Sequence, residues 1–435
     1  MGDTFDAREQ LNFYTGHLAN DLLPFWLRAV DWEDGGFYNC YDNTGSRLVR
    51  EDKYTWSQGR FVWIFSKLAV LRSKMFGSDE RQRWLELAGH GARFLMRHAV
   101  LDNGHCTFLM DKHGRPIPSA PDTPYDASIF ADCFVAIGLA QYAAAAKDRA
   151  SLAFAKQLYA SIRNRIRTGD YLMAPYPTPD GYRSHSIPMI LLNVTHELLE
   201  AATLLEDGDG EALVLSMQSL IAQIMHDFTD ENGILHEMIR EDGSRSDTTL
   251  LDRYCNPGHA IEDMWFVIHA SMHLQQGGYI KKAGEIVKNM MRIGWDEPYG
   301  GLLLFVDQEG GKPRGDTAGM DQAAMVGQIG NNWHQKLWWP HSEALYTTLL
   351  CYRMTGDPDF LRDYERVREY TFRTFPNPDK RIGEWIQIRS RGGEPAGNVV
   401  ALPVKDPYHI IRNVALIIEL LEGMSNGTRK EWAIG

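Results

Sequence analysis

Closely spaced cysteines are missing from this chain of 435 residues. Its five cysteines are odd in number and far apart, and none belongs to a CxxC pair. A disulfide framework and a thiolate zinc site are therefore both disfavoured, which predicts a protein kept in a reducing compartment. The cysteines are Cys40, Cys106, Cys133, Cys255 and Cys351.

Long apolar runs and an excess of positive charge are missing as well. No window approaches 18 uninterrupted apolar residues, and the first ten residues, MGDTFDAREQ, are polar and lack the apolar core of a signal peptide. The net charge of -12 argues against nucleic acid or an anionic membrane as a partner. We therefore expect a cytoplasmic protein that binds neither nucleic acid nor membrane.

Motifs for phosphate and metal binding are also lacking. The chain has no GxxxxGK[ST] sequence and no strand-linked GxGxxG. HELLE (196–200) lacks the second histidine of HExxH, and HASMH (269–273) pairs two histidines without an obvious carboxylate partner. The sequence thus predicts no cofactor and no metal.

An internal repeat organises what is present. Six segments combine a turn rich in Gly or Asp with an apolar run, which is typical of a short strand entered from a tight turn. The spacings between their marker glycines are 68, 65, 64, 68 and 82 residues. The marker glycines are Gly36, Gly104, Gly169, Gly233, Gly301 and Gly383.

Each of these segments is followed by a second turn and an apolar helical stretch. The stretches are apolar nearly all round, as buried helices are. Between them lie six candidate helices with polar faces, for example 81–100, 278–295 and 358–375. The apolar stretches are anchored on Trp56, Pro124, Pro188, Pro257, Pro340 and Pro407.

Six repeats of an outer helix, a strand, a turn and an inner helix predict twelve helices. A ring with the apolar helices inside is the compact way to bury six of them, so we predict an all-α (α/α)6 barrel. We expect residues 1–435 to form one catalytic domain, because no Pro- or Ser-rich linker separates the repeats. The fifth repeat is long, and its excess predicts a loop inserted at the mouth of the ring at about 307–332.

Two inner-helix starts share one pattern. NPGHAIE and DPYHIIR each place Asn or Asp before Pro and a histidine two residues after that Pro: His259 and His409. Asn or Asp followed by Pro is a favourable helix start. The dipole at a helix N-terminus disfavours imidazolium, so we expect neutral rings suited to acid–base work, with Glu262 opposing this effect on His259.

These blocks resemble the N-acylglucosamine 2-epimerase family, whose relatives include cellobiose 2-epimerases and mannose isomerases. The similarity covers nearly the whole chain, and IPMILLN, NPGH followed by Glu, and KLWWPHSEAL are nearer to the acylglucosamine branch. The extended loop at 307–332 and the residues PYHIIR depart from that branch. The family is built on an (α/α)6 barrel, and the resemblance implies a homodimer.

The resemblance also implies roles for individual residues. His259 and His409 match the two catalytic histidines of the family. Arg60 and Glu262 match residues that hold the open-chain sugar near C1 and C2. We expect further contacts with the sugar from Asn193, Trp338, Trp339, His185 and Glu384.

Together with the paired histidines, the resemblance implies a 2-epimerase that acts on a reducing sugar, most directly an N-acyl-D-glucosamine or N-acyl-D-mannosamine. One histidine would remove the C2 proton, Arg60 would stabilise the enediolate, and the other histidine would return a proton to the opposite face. Action on mannose or glucose, as an aldose–ketose isomerase or a 2-epimerase, and a non-catalytic sugar-binding protein are alternatives. An inverting glycosidase is a further alternative, with its carboxylates drawn from Asp126, Glu262, Glu343 and Glu384.

Overall fold

Helices account for most of the computed structural model, which describes residues 5–320, 322–397, 399–400 and 402–426. Two of them, the first and the eighth, continue into π-helical turns at Leu18–Leu22 and Gln223–Phe228. Within the described residues the α-helices are α1 (Ala7–His17), α2 (Leu23–Trp26), α3 (Thr55–Ala69), α4 (Ser78–His98), α5 (Ile129–Ala146), α6 (Arg149–Thr168), α7 (Ser186–Leu204), α8 (Gly210–Ala222), α9 (Leu250–Arg253), α10 (Pro257–His273), α11 (Gly277–Gly294), α12 (Ala324–Asn332), α13 (Trp338–Thr355), α14 (Pro358–Thr374) and α15 (Tyr408–Ser425).

Twelve of these helices form two concentric rings. The inner ring consists of α3, α5, α7, α10, α13 and α15, each packed on the next, and α15 closes the ring on α3. The outer helices α1, α4, α6, α8, α11 and α14 each pack against the inner ring. The predicted (α/α)6 barrel is confirmed.

The two rings differ in the way the sequence predicts. In the inner helix α5 nearly every residue from Ile129 to Ala143 is buried, whereas the outer helix α14 buries Phe360, Tyr364, Val367 and Tyr370, which share one face. Helix α5 is also long and apolar enough to cross a membrane by length and composition, but 72% of it is buried inside the barrel. Its apolar character therefore follows from its place in the core.

Short strands join the helices at one end of the barrel. They form four antiparallel pairs, and each pair joins the strand before an inner helix to the strand after the following outer helix. The pairs are β1 (Lys53–Tyr54) with β2 (Leu109–Met110), β3 (Tyr182–Ser184) with β4 (Met238–Arg240), β5 (Tyr254–Cys255) with β6 (Val306–Asp307), and β7 (Lys336–Leu337) with β8 (Ile388–Arg389).

Four of the six predicted repeat strands are present. The first and third segments make only isolated bridges in the described residues. In the first, the side chain of Gln58 bonds both the amide and the carbonyl of Phe37 and so replaces a neighbouring strand. In the third, Pro175 lacks the N–H that would extend the ladder after Met173.

All six marker glycines have a left-handed backbone, with φ between 72° and 82°. At Gly383 this conformation is combined with a close approach, because an added Cβ would lie 2.3 Å from the carbonyl oxygen of Asp21. The repeat in the sequence is therefore a repeated turn that only glycine adopts without strain.

The long fifth repeat forms part of the barrel mouth. It contains α12, whose Met325 and Gln328 line the central cavity. Gln328 Nε2 donates to the carbonyl of Val400 at 3.0 Å, and the hydroxyl of Tyr176 donates to the same carbonyl. Three separate loops thus meet over the mouth.

Candidate active site

A cavity of about 290 Å³ opens at the strand end of the barrel. It is close to the lower end of the ~300–1,000 Å³ usual for small-molecule sites. The first turns of all six inner helices contribute to its wall. With residues one or two turns further along, the inner-helix side chains in the wall include Trp56, Arg60, Phe130, Phe134, Met189, Asn193, His259, Glu262, Trp338, Trp339, Tyr408, His409 and Arg412.

His259 lies in the first turn of α10, at the position that the NPGH pattern predicts. The side chain of Asn256 caps the helix by accepting from the amide of His259 at 3.2 Å. The ring nitrogen Nδ1 contacts Glu237 Oε1 at 2.9 Å, and about a third of the His259 side chain is exposed to the cavity. With Nδ1 engaged, Nε2 is the nitrogen available to a ligand.

The charge state expected for His259 is wrong. Burial of the ring lowers the pKa of His259, but the carboxylates of Glu237 and Glu262 raise it by more, so the net pKa is raised. A full negative charge in direct contact outweighs the partial charge of a helix terminus, which contributes about half a charge. His259 is therefore biased towards the protonated form.

His409 occupies the matching position at the start of α15. Asp406 Oδ1 accepts from the amide of Tyr408, the first residue of this helix, at 2.6 Å, and Pro407 is the N-cap. Nδ1 of His409 contacts Glu343 Oε1 at 2.7 Å. The two histidines thus share one arrangement, a carboxylate on Nδ1 and a free Nε2 on the cavity side.

Arg412 is a buried cation beside His409. Its Nη2 donates to Glu343 Oε1 at 2.6 Å and also to Glu262. Burial would raise the pKa of Glu343, but Arg412 and His409 lower it to about 2. Glu262, Glu343 and His409 have a donor set that could hold a metal ion, but the guanidinium of Arg412 contacts all three and supplies the positive charge there.

Trp339 lies between the two histidines. Its indole is 5.1 Å from the ring centre of His259 and 5.7 Å from that of His409. Because both imidazoles contact one side chain, they lie on neighbouring parts of the same cavity wall. A small ligand in the cavity can reach both.

Arg60 and Asn193 complete the polar part of the wall. The guanidinium of Arg60 pairs with Asp406 and packs on the ring of Phe134 at 4.1 Å. Its position depends on a backbone contact between α3 and α5, because a Cβ on Gly59 would lie 2.2 Å from the carbonyl oxygen of Phe134. The side chain of Asn193 lines the cavity, and no hydrogen bond joins it to the part of the chain that the structure describes.

The sequence matches the model of one protein family, N-acylglucosamine 2-epimerase (GlcNAc 2-epimerase), over residues 36–413. The chain belongs to this family. It is 30% identical to the N-acylglucosamine 2-epimerase of Bos taurus, over 96% of this chain and 93% of the bovine one. It is 24% identical to a cellobiose 2-epimerase of Ruminococcus albus, over 90% and 94% of the two chains.

Solved structures of similar fold agree with this family membership. The cellobiose 2-epimerase of Spirochaeta thermophila superposes with a TM-score of 0.75 at 18% identity, over 96% of this chain and 98% of that one. A D-mannose isomerase superposes with a TM-score of 0.72 at 15% identity, over 96% and 99%. The epimerase family fold is thus shown along nearly the whole chain.

Seven of the nine residues predicted for the site line the cavity of this family member. The other two, His185 and Glu384, do not. His185 is fully buried between Asp263 and Glu237, and Glu384 is fully buried and bonded to Trp26 and Gln387. The structure thus places neither side chain at the cavity surface. The seven are Arg60, Asn193, Glu262, His259, Trp338, Trp339 and His409.

Of the four carboxylates proposed for a glycosidase, only Glu262 and Glu343 lie close together, and both accept from the guanidinium of Arg412. Asp126 precedes α5 and pairs with His105 at 2.7 Å, outside the cavity, and Glu343 and Glu384 are fully buried. Only Glu262 of the four lines the cavity, and it is paired with Arg412. This arrangement supplies no pair of carboxylates for acid and base catalysis.

Glu237 and Asp263 are the functional candidates that sequence reasoning missed. Glu237 directly precedes β4, and Asp263 follows Glu262 in α10. No spacing in the sequence connects Glu237 to His259. The available signal is the acidic residue inside the apolar run ILHEMI, because a buried charge needs a partner of opposite charge or a hydrogen bond.

Proposed function

We propose that this chain inverts the configuration at C2 of a reducing aldose, and that its substrate is an N-acylated hexosamine. The bovine relative at 30% identity is named as an N-acylglucosamine 2-epimerase, while the cellobiose 2-epimerases are 21–24% identical. The small cavity and the loops that meet over its mouth also favour one sugar ring over two.

The chemistry begins with the open-chain sugar, whose C1 carbonyl makes the C2 proton acidic. One imidazole takes that proton through Nε2, and the electron pair moves onto the C1 oxygen to give an enolate. The second imidazole then gives its proton to the opposite face of C2, which regenerates the carbonyl with inverted configuration. The net proton count is unchanged, because one histidine has gained the proton from C2 and the other has lost its own proton to C2.

The carboxylates of Glu237 and Glu262 raise the pKa of His259, which favours His259 as the acid in one direction, with His409 as the base. For the other epimer the two roles are reversed. Arg60 faces the same cavity and is suited to stabilise the negative C1 oxygen of the enolate.

One observation carries this proposal: two imidazoles, each with a carboxylate on Nδ1, share a cavity wall with a single indole between them. A binding protein gains nothing from two such imidazoles. A reaction that must add and remove a proton on opposite faces of one carbon requires two.

Deuterium exchange tests the proposal. The protein would be incubated with N-acetylglucosamine or N-acetylmannosamine in D2O, with glucose, mannose and cellobiose in parallel, and C2 followed by NMR. We expect the inverted sugar with deuterium at C2. A ketose product would establish an isomerase instead, and no exchange with any of these sugars would overturn the proposal.

Variants of each histidine test whether the two imidazoles act on opposite faces of C2. His259→Asn and His409→Asn should each abolish inversion, while each retains slow C2 exchange with the one epimer whose proton faces the remaining histidine. His196→Asn, on α7 and outside the cavity, is the matched control and should invert C2 at the normal rate. Inversion by either site variant at more than a few per cent of the normal rate would contradict the two-base mechanism.

A further inference from the structure

Two consecutive residues of α10, Glu262 and Asp263, extend into different polar chains. Glu262 pairs with Arg412, Arg412 Nη2 donates to Glu343 at 2.6 Å, and Glu343 contacts Nδ1 of His409 at 2.7 Å. We call this series the Arg412 chain. It runs from a carboxylate through a cation and a second carboxylate to an imidazole in the cavity wall.

Asp263 begins a second series with the same order of groups. Asp263 Oδ2 contacts Nε2 of His185 at 2.7 Å, and Nδ1 of His185 faces Glu237 Oε2 at 3.7 Å. Glu237 Oε1 then contacts Nδ1 of His259 at 2.9 Å. We call this series the His185 chain. In the His185 chain, His185 occupies the position that Arg412 occupies in the Arg412 chain.

The side chains of His185 and Glu237 are close to forming a hydrogen bond. His185 Nδ1 and Glu237 Oε2 are both buried, and neither has a hydrogen-bond partner in the ranges that the structure describes. Buried polar atoms without partners are costly. Because the two face each other, a small rotation of either side chain gives a hydrogen bond that makes the His185 chain continuous.

We propose that His185, anchored by Asp263, is a positioning residue that holds Glu237 and offsets its charge, so that His259 can release its proton at neutral pH. This inference rests on the proposed function, because it assigns His259 the part of a catalytic acid. Without a cation behind it, Glu237 would bind the imidazolium of His259 more tightly and make it a weaker acid.

The charged groups around the chain agree with this assignment. Burial lowers the pKa of His185, but Asp263 and Glu237 raise it to about 9, so the ring is cationic at neutral pH. Tyr254 and Cys255 lie near Glu237, and burial raises the pKa of each, which keeps both neutral. Glu262 is the remaining carboxylate near His259, and Arg412 pairs with it.

The pH dependence of kcat/KM for C2 inversion tests the proposal. In His185→Gln the alkaline limb, which reports loss of the last catalytic proton, should move up by about one unit, the lower end of what a nearby charge causes. The value of kcat at neutral pH should fall several-fold, and KM should change little. His196→Gln is the control and should leave the profile unmoved. An alkaline limb that stays in place or moves down in His185→Gln would overturn the proposal.

Imidazole 15N NMR of the wild-type protein gives a test that needs neither turnover nor a stable variant at His185. One histidine should stay protonated on both nitrogens up to about pH 9, and Asp263→Asn should lower its titration midpoint. A protein that shows this signal yet no C2 exchange with any sugar would refute the function alone. Normal exchange without any such histidine would refute the inference alone.

Discussion

The charge on Glu237 should set the pH range in which the enzyme works, and Glu237→Gln measures its effect. The amide keeps the size of the side chain and an oxygen that can accept from Nδ1 of His259, but it removes the negative charge. Burial still lowers the pKa of His259, and Glu262 is then the remaining carboxylate that raises it. The pKa of His259 must fall.

The size of this change follows from the contact. Glu237 Oε1 lies 2.9 Å from His259 Nδ1, and an opposite charge this close shifts a pKa by about 1–3 units. The alkaline limb of kcat/KM should move down by this amount. Above the new limb, the protonated fraction of His259 should fall by about 10- to 1,000-fold.

C2 exchange in D2O, followed by 1H NMR over a series of pH values, is the assay. Glu231→Gln makes the same change at an exposed carboxylate six residues earlier in the same segment, and it should leave the profile unchanged. A Glu237→Gln profile that overlays the wild-type profile, or that moves to higher pH, would refute the electrostatic reasoning. The opposite shifts expected for Glu237→Gln and His185→Gln separate charge effects from general damage.

Two further predictions concern residues away from the histidines. Glu384→Ala should lower the free energy of unfolding by about 3 kcal/mol, because it removes the buried acceptor of Trp26 Nε1 and Gln387 Nε2, yet KM should stay unchanged. Urea denaturation measures the loss of unfolding free energy. As a control, the exposed Glu369→Ala should lower that free energy by less than about 1 kcal/mol. A raised KM in Glu384→Ala would instead indicate that Glu384 contacts the sugar. Gln328→Ala removes one hydrogen bond over the cavity mouth and should raise KM about fivefold at constant kcat. Steady-state kinetics with the exposed Gln322→Ala as control test this, and a loss confined to kcat would contradict it.

The barrel could be predicted from the sequence because its signals are local. Each repeat turn needs a left-handed residue, so glycine marks it, and each inner helix is surrounded by protein, so it is apolar nearly all round. The start of α5 was placed too early: the helix begins at Ile129, and Asp126 lies in the turn before it. No Pro stands at the first position of this helix, so the sequence does not mark where the helix starts.

The histidines of the site could be found, but not their partners. His259 and His409 are reached through a pattern of four residues. Asn256 caps α10 as that pattern predicts, whereas α15 begins one residue later, with Pro407 as its N-cap. Glu237 comes to His259 from a strand end 22 residues away, and Glu343 comes to His409 from another helix. Such pairings depend on ring closure, which no local pattern encodes. The cytoplasmic location and the homodimer stay predictions.

The adjacency of Glu262 and Asp263 has a mechanical consequence. Successive residues of an α-helix point about 100° apart, so these two carboxylates leave α10 in different directions. Turning the helix about its own axis would carry one carboxylate towards its cation and draw the other away. Close packing between Gly258 and Trp339 opposes such a rotation. A Cβ on Gly258 would lie 2.5 Å from the indole of Trp339. The orientation of a single helix therefore adjusts both halves of the site at once.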